Sequence, residues 1–446
     1  MKYTKYILLL LIVASCASRQ AVRHRGSHEA DSRPVAPVSV QVPMPVVVED
    51  AEAEPVVSAQ PLVSQVQRAP MGTWQAAKQQ ALDSLCRMPL FETTQLGLYV
   101  YDLTDGQPLY AVNAAQRMRP ASCQKVVTAI TALHYLKSGY QLRTDFRIAG
   151  KVTAGILNGD LIVVGGMDPL VTADELRQAA AAIKQQRGIK SIAGNIVYDL
   201  SMREDAPYGW GWCWDDDYGP LSALLVDGKD AFEQEWIKAL TDAGIKAPTP
   251  EQQRKVSLPP RGEVGGELIF TIRHSIDDLL VPMMKNSDNI YAECLFNQTA
   301  ASTGKKGAGH KQAAARTEEL MKRIGLNPEQ YRVADGSGLS LYNYASAEML
   351  VAMLGYAWRT QSIREHLLPS LPVAGIDGTL EKRMRDTQAQ GNVRAKTGTL
   401  TGISSLAGYL TTAHGHILAF AIINQGVNTA TMGRTFQDKV CQELCK

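Results

Sequence analysis

The stretch Arg119–Leu136, "RPASCQKVVTAITALHYL", decides how the rest of the chain is read. Pro120 precedes a small hydroxyl residue, Ser122, and Lys125 follows three positions later. The run after them reads as a helix with an apolar face, which puts Ser122 at a helix N-terminus. Backbone N–H groups lack partners there, and the helix dipole favours negative charge on an attacking oxygen. Residues at i and i+3 share a helix face, so the Lys125 amine lies beside the hydroxyl. Lysine is a poor base at its free pKa of ~10.4. Burial and a neighbouring cation disfavour the charged form and let the amine accept the serine proton. A lone Ser-x-x-Lys arises often by chance, so its weight depends on what accompanies it.

Two further motifs accompany it. "KNSDNIYAECL" holds Ser287, Asp288 and Asn289, in a loop before a helix, and "VRAKTGTLTGISS" holds Lys396, Thr397, Gly398 and Thr399, at the edge of a strand. Ser-x-x-Lys, Ser-Asp-Asn and Lys-Thr-Gly in this order are the set that penicillin-binding proteins and class A β-lactamases carry. The chemistry suggests a role for each residue. Ser122 is the nucleophile and Lys125 its general base. Ser287 relays a proton toward a leaving amine, and Asn289 hydrogen-bonds Lys125 and a substrate amide. Lys396 supplies positive charge for a substrate carboxylate and depresses Lys125. Thr397 and Thr399 hold that carboxylate or the acyl carbonyl, and Gly398 permits close backbone approach. The N–H groups of Ser122 and Thr399 form an oxyanion hole.

Flanking phrases narrow the resemblance. "PASCQKVVTA", "GGMDPLV", "IAGNIVYD", "GWGWCWDDDYG", "DGSGLS", "LPVAGIDGTL" and "KTGTLTGISSLAGY" resemble the class C low-molecular-mass penicillin-binding proteins, the D-alanyl-D-alanine carboxypeptidase/endopeptidase family. The likeness covers most of the chain beyond residue 73. It implies an α/β (α+β) fold: a transpeptidase-like domain with an antiparallel sheet flanked by helices, and a smaller inserted α/β domain. It implies cleavage of D-Ala from peptidoglycan stem peptides through an ester on Ser122, covalent binding of β-lactams, and no metal or cofactor. It also implies that Asp168, in "GGMDPL", offers an acid to the stem peptide's amino group; the other reading is a turn aspartate before Pro169. Larger relatives carry two inserts between the first two motifs. Here "SALLVDGKDAFEQEWIKAL" runs from strand to helix, and one insert is missing. The alternatives are a β-lactamase or esterase, and a cell-wall-binding lipoprotein or β-lactam sensor without turnover.

The rest of the chain frames this core. It has 446 residues, a net charge of +2, 45% hydrophobic and 20% charged residues. Nothing in that balance asks for nucleic acid. Lys2 and Lys5 precede the apolar run Ile7–Ala14, too short to span a bilayer. It fits a secretory signal, and "VASC", Val13–Cys16, looks like a lipobox that makes Cys16 a lipidated N-terminus. The expected organisation is a signal at 1–16, a disordered Pro-rich tether at 17–72, catalytic segments 73–143 and 269–446, and an insert at 144–268. The expected location is the bacterial cell envelope, anchored by lipid and facing the periplasm. A helix and hairpin at one end mirror a hairpin and helix at the other, which suggests one antiparallel sheet built from both ends. Cys441 or Cys445 either bridges to Cys86 or stays a buried thiol. No cysteine pair has zinc spacing. His414 and His416 flank a turn glycine, and Arg383 is read as structural or as lying near the substrate carboxylate. Asp335–Gly338 reads as a glycine turn near the site, and the tryptophans of Tyr208–Pro220 as packing between domains or as a sugar platform.

Overall fold

The computed structural model describes residues 66–213, 215–216, 218–257 and 265–446. Cys16, the signal and most of the tether lie outside them. Helix α1 (Trp74–Cys86) leads to a hairpin of β1 (Gln95–Asp102) and β2 (Gln107–Val112). Its turn is set by Asp102, whose Oδ1 accepts the N–H groups of Thr104 and Asp105, and by Gly106 at φ 69°. Helix α2 (Gln124–Leu136) follows. A second group comprises β3 (Gln141–Thr153), β4 (Ile156–Val164), α3 (Ala173–Arg187), β5 (Ser191–Ile192), β6 (Ile196–Asp199), α4 (Phe232–Asp242), β7 (Gln253–Val256) and β8 (Glu267–Ser275). Helices α5 (Ile276–Lys285), α6 (Asn289–Ala301), α7 (His310–Arg323), α8 (Ala347–Arg359) and α9 (Gln361–Ser370) come next. Strands β9 (Arg394–Leu400), β10 (Ile403–Thr411), β11 (Ile417–Gln425) and helix α10 (Ala430–Cys445) close the chain.

The first sheet has the order β2-β1-β11-β10-β9 and is antiparallel throughout. Both ends of the chain build it, as the mirrored segments suggest. Strands β10 and β11 are buried along nearly their whole length, so both faces must be apolar. The period of two divides them: Ala419, Ala421 and Ile423 pack with Val126 and Ile130 of α2 and Leu350 of α8. Leu418, Phe420 and Ile422 face the other way, onto Leu82 of α1 and Phe436 and Val440 of α10. Phe420→Ala would open a cavity at the centre of that second layer and cost about 3–5 kcal/mol.

The other sheet, β7-β6-β4-β3-β8, mixes antiparallel and parallel pairs. Phe146, Leu161 and Tyr198 pack there against Leu176 and Ile183 of α3 and Phe232 and Trp236 of α4. It spans Gln141 to Ser275, a little wider than 144–268. The apolar run of "SALLV" is not a strand: Leu221–Val226 is irregular and almost wholly buried. The Ala223 carbonyl accepts from Met167 N–H, which ties the run to the strap after β4. All six described cysteines are free, and no bridge joins Cys86 to α10.

Candidate active site

Ser122 sits on a short 3-10 turn, Ala121–Cys123, that runs directly into α2. Ala121 is held at φ 46°, a left-handed conformation that costs a non-glycine residue free energy and persists only where neighbours fix it. Two glycines fix it here. A Cβ on Gly338 would stand 1.9 Å from the Ala121 carbonyl oxygen. A Cβ on Gly398 would stand 2.7 Å from the Pro120 carbonyl oxygen and 3.0 Å from the Ser122 nitrogen. The Ser405 hydroxyl of β10 also donates to Pro120 O at 2.6 Å, so the nucleophile turn is fastened to the sheet.

The Lys125 side chain is fully buried. Its Nζ lies 3.0 Å from Ser122 Oγ, 2.5 Å from Asn289 Oδ1 and 2.8 Å from Ser337 O. Burial lowers this amine to about 8, although the carboxylates of Asp335, Glu293 and Asp288 oppose the drop. An amide oxygen and a carbonyl can only accept, so they take two N–H bonds from the amine. A neutral amine has two hydrogens and one lone pair, and the lone pair is left for the Ser122 O–H.

Lys396 is also fully buried, and its Nζ donates to Ser287 Oγ at 2.8 Å and to Thr397 O at 2.8 Å. Burial first, then the charge of Lys125, lowers it to about 7. Ser287 holds φ 63° just before α6, which Asp288 caps by accepting Tyr291 N–H at 3.1 Å. That capped helix start presents Asn289 to Lys125. The structure therefore gathers Ser122, Lys125, Ser287, Asn289, Lys396 and Gly398 at the meeting of α2, α6 and β9.

Strand β9 is an edge strand. Ala395 N–H points away from β10 and donates to Pro372 O at 3.0 Å. By strand alternation the N–H groups of Thr397 and Thr399 also point outward, away from the ladder. The side chains alternate too. Lys396 and Gly398 face the nucleophile turn, so Thr397 and Thr399 project from the opposite face. The Thr397 hydroxyl donates to Thr379 at 2.8 Å, and Thr399 Oγ1 accepts from Arg434 of α10 at 3.3 Å. The Thr399 side chain is turned toward that arginine; its outward N–H is what it offers beside Ser122.

Asp168 requires a correction. Its side chain is 0% exposed. Oδ1 accepts Leu170 N–H at 3.0 Å and Oδ2 pairs with His274 Nδ1 at 2.7 Å. Glu175 lies 3.1 Å from the other imidazole nitrogen, and the hydrogen bond to Asp168 pushes the imidazole pKa up. A sealed carboxylate committed to a turn and an ion pair is not available to a substrate amine. The acids that line the neighbouring groove are Asp215 and Asp216, together with Arg119, Leu341 and Thr401. The groove encloses ≈ 490 Å³. Trp212, from the same loop, donates its indole N–H to Asp335 at 2.9 Å. Trp210 is stacked on His310 and lies under Arg332, which ties the loop down, although part of the ring stays exposed. Arg383 is structural: it pairs with Asp438 at 2.6 Å and reaches Gln437 and the Arg434 carbonyl.

The sequence reading placed Asp335 in a glycine turn near the site without a role for its carboxylate, and it missed Glu293. Asp335 accepts from Trp212, Ser337, Gly338, Ser340 and Asn343 and so organises the glycine turn. Glu293 accepts the N–H groups of Gly336 and Ser337. The available signal was spacing: Glu293 follows Asn289 by four on one helix.

Comparison with known proteins places the geometry. A family model described as the D-Ala-D-Ala carboxypeptidase 3 (S13) family matches residues 78–231 and 226–444. D-alanyl-D-alanine carboxypeptidase DacB of Haemophilus influenzae is 27% identical over 425 residues, covering 76% of this chain and 87% of the relative. Carboxypeptidase DacB of Mycolicibacterium smegmatis is 30% identical over 381 residues, covering 78% and 80%. The crystal structure of penicillin binding protein 4 (dacB) from Haemophilus influenzae matches with a TM-score of 0.74 at 25% identity, over 82% of this chain and 99% of that one. The same protein complexed with a β-lactam matches with a TM-score of 0.67 at 26% identity, over 82% and 97%.

Proposed function

The chain belongs to the S13 family of D-Ala-D-Ala carboxypeptidases, the class C low-molecular-mass penicillin-binding proteins, and on that premise we propose how its residues divide the work. The neutral Lys125 amine takes the Ser122 proton as Oγ attacks the carbonyl carbon of the penultimate D-Ala. The oxyanion is received by the N–H groups of Ser122 and Thr399, a kind of contribution worth about 10²–10³ in rate per donor. The C–N bond then breaks. The proton that Lys125 took is passed through the Ser287 hydroxyl, which Lys396 holds in place, to the leaving amine of the terminal D-Ala, and Lys125 is a free base again. Water hydrolyses the resulting ester with Lys125 again accepting a proton. A β-lactam follows the first half of this path and remains bound to Ser122.

The observation that carries the reading is the triple contact of Lys125 Nζ with Ser122, Asn289 and Ser337. The test is labelling with a fluorescent penicillin beside D-Ala release from a pentapeptide. Wild type takes a lasting label and releases D-Ala, whereas Ser122→Ala and Lys125→Ala do neither. Label without release points instead to a sensor; rapid loss of label points to a β-lactamase.

The groove acids Asp215 and Asp216 meet an amino group of the stem peptide in this reading. Replacing both by Asn should raise KM for an amine-bearing peptide about tenfold and leave penicillin labelling near wild type. Thr397 meets the terminal carboxylate at the outward edge of β9, and Lys396, buried behind it, acts on that carboxylate through its charge alone. We place the enzyme at the bacterial envelope, facing the periplasm and held by lipid on Cys16. The basic start, apolar run and Val13–Cys16 support this. Residues 17–72 are the tether, and 144–268 the insert between catalytic segments 73–143 and 269–446. Cys16→Ser should move the protein from the membrane to the soluble fraction.

A further inference from the structure

Beyond the residues given roles above, one buried carboxyl lies against the chemistry. Glu293 is 2% exposed and projects from the same face of α6 as Asn289. Its Oε1 accepts Gly336 N–H and Ser337 N–H, each at 2.9 Å. From α2, the Thr128 hydroxyl donates to Gly336 O at 2.6 Å. Gly336 fits with no margin: a Cβ there would lie 2.5 Å from the Phe296 Cβ and 2.7 Å from Ala292 O. The segment is thus pinned between two helices, and its next carbonyl, that of Ser337, emerges 2.8 Å from Lys125 Nζ.

We infer that Glu293 is a positioning residue for the acylation of Ser122: its carboxyl fixes the Gly336–Ser337 backbone, and Asp335 holds the N–H of the peptide that follows, so that the Ser337 carbonyl takes one Lys125 hydrogen and leaves the nitrogen lone pair facing the Ser122 hydroxyl. This rests on the reading of Lys125 as the base. Two acceptors are needed to orient a neutral amine. Asn289 is one, and Ser337 O is the other. Without the second, the amine rotates and can present a hydrogen to Ser122 Oγ, which then has no acceptor for its proton.

The carboxyl also bears on the charge of the site. The groups facing it are Lys125 from α2, Asp335 from the glycine turn, Cys294 on its own helix and Arg203 from the segment after β6. Burial and Asp335 raise Glu293 to about 8. Near neutral pH it is therefore largely a neutral acid, which still accepts both N–H bonds. As it ionises, its charge holds the proton on Lys125, so Lys125 becomes a free base later than it otherwise would.

The test is the second-order rate of labelling by fluorescent penicillin from pH 5 to 10, on the full chain as wild type, Glu293→Gln, Glu293→Ala and Lys125→Ala. Glu293→Gln keeps an acceptor but cannot ionise. It should label within a few-fold of wild type on the plateau, with the acid limb displaced to lower pH by several tenths of a unit. Glu293→Ala leaves two N–H groups unpaired and should label 30-fold or more slowly, with Gln as the rescue. Should Glu293→Ala fail to fold, the limb of Glu293→Gln decides. A wild-type limb in Glu293→Gln, or a wild-type rate in Glu293→Ala, overturns the inference. Continued labelling of Lys125→Ala would instead remove the base reading beneath it, whatever Glu293 does.

Discussion

A single methyl group at Gly398 should separate the nucleophile turn from the oxyanion donor on β9, the Thr399 N–H. Gly398 lies within β9 and does not have the positive φ that would demand glycine. Alanine therefore meets no backbone strain there, and any effect comes from the added carbon. That carbon would sit 2.2 Å from Ser405 Oγ, 2.7 Å from Pro120 O and 3.0 Å from the Ser122 nitrogen. The hydroxyl can rotate away, but it then gives up its hydrogen bond to Pro120 O. The carbonyl and the N–H are backbone and cannot rotate. Relief needs the Ala121–Cys123 turn and β9 to part by roughly half an ångström to one ångström, since ordinary carbon contacts begin near 3.5 Å. A misplacement of about 1 Å at reacting groups costs on the order of 10²-fold in rate. Overpacking of this kind costs about 1–3 kcal/mol of stability. Gly398→Ala should therefore label with penicillin and release D-Ala about 100-fold more slowly while losing a few degrees in Tm. Labelling within threefold of wild type, with Tm lowered or not, would refute the claim that this close approach sets the oxyanion geometry.

Other outcomes follow from the same geometry. Acylation should rise with pH as Lys125, lowered to about 8, loses its proton; a rate flat from pH 6 to 9 would contradict a lysine base. Lys125 and Lys396 both have folded-state pKa values below the unfolded ~10.4. The unfolded chain thus holds more protons between pH ~7 and ~10, and stability rises with pH across that window. Lys396→Met should abolish acylation, raise stability at pH 6 by roughly 1 kcal/mol or more, and flatten part of that rise, as read by Tm against pH. His274 has the opposite sign: its raised pKa gives stability that is complete below ~6.5 and lost as pH climbs through the folded value. Asp168→Ala should remove the larger part of that increment and lower Tm, since His274 then keeps only Glu175, with labelling of the folded fraction retained. A raised KM in a fully stable Asp168→Ala protein would restore Asp168 to the substrate. Arg383→Ala should lower Tm by cutting α10 from the loop before β9, with little change in KM for peptides.

The chemistry was legible where side-chain identity and short spacing carry it. Ser122 and Lys125 are one helical turn apart, and a turn of helix is fixed by local geometry alone. The apolar runs of β10 and β11 were equally plain, because strands buried on both faces are mostly apolar along their length. What failed were judgements of exposure. Asp168 was read either as an acid for the stem peptide's amine or as a turn aspartate; it does make the turn, and the residue that claims its second oxygen, His274, lies 106 positions away. "SALLV" has the composition of a buried strand, and it is buried, but as an irregular run tied to the strap after β4. Arg434 was invisible for the same reason: its reach to Thr399 spans 35 residues and requires α10 to cross the end of β9.

The same contrast explains why the site needs more acids than its motifs name. Two amines buried side by side cannot both stay charged, and Lys396 is the more depressed of the pair. Asp335, Glu293 and Asp288 all pull Lys125 back up. A base that must first strip a hydroxyl and later help return a proton works best with its pKa near the ambient pH. The buried acids hold it there, which three short motifs cannot do by themselves.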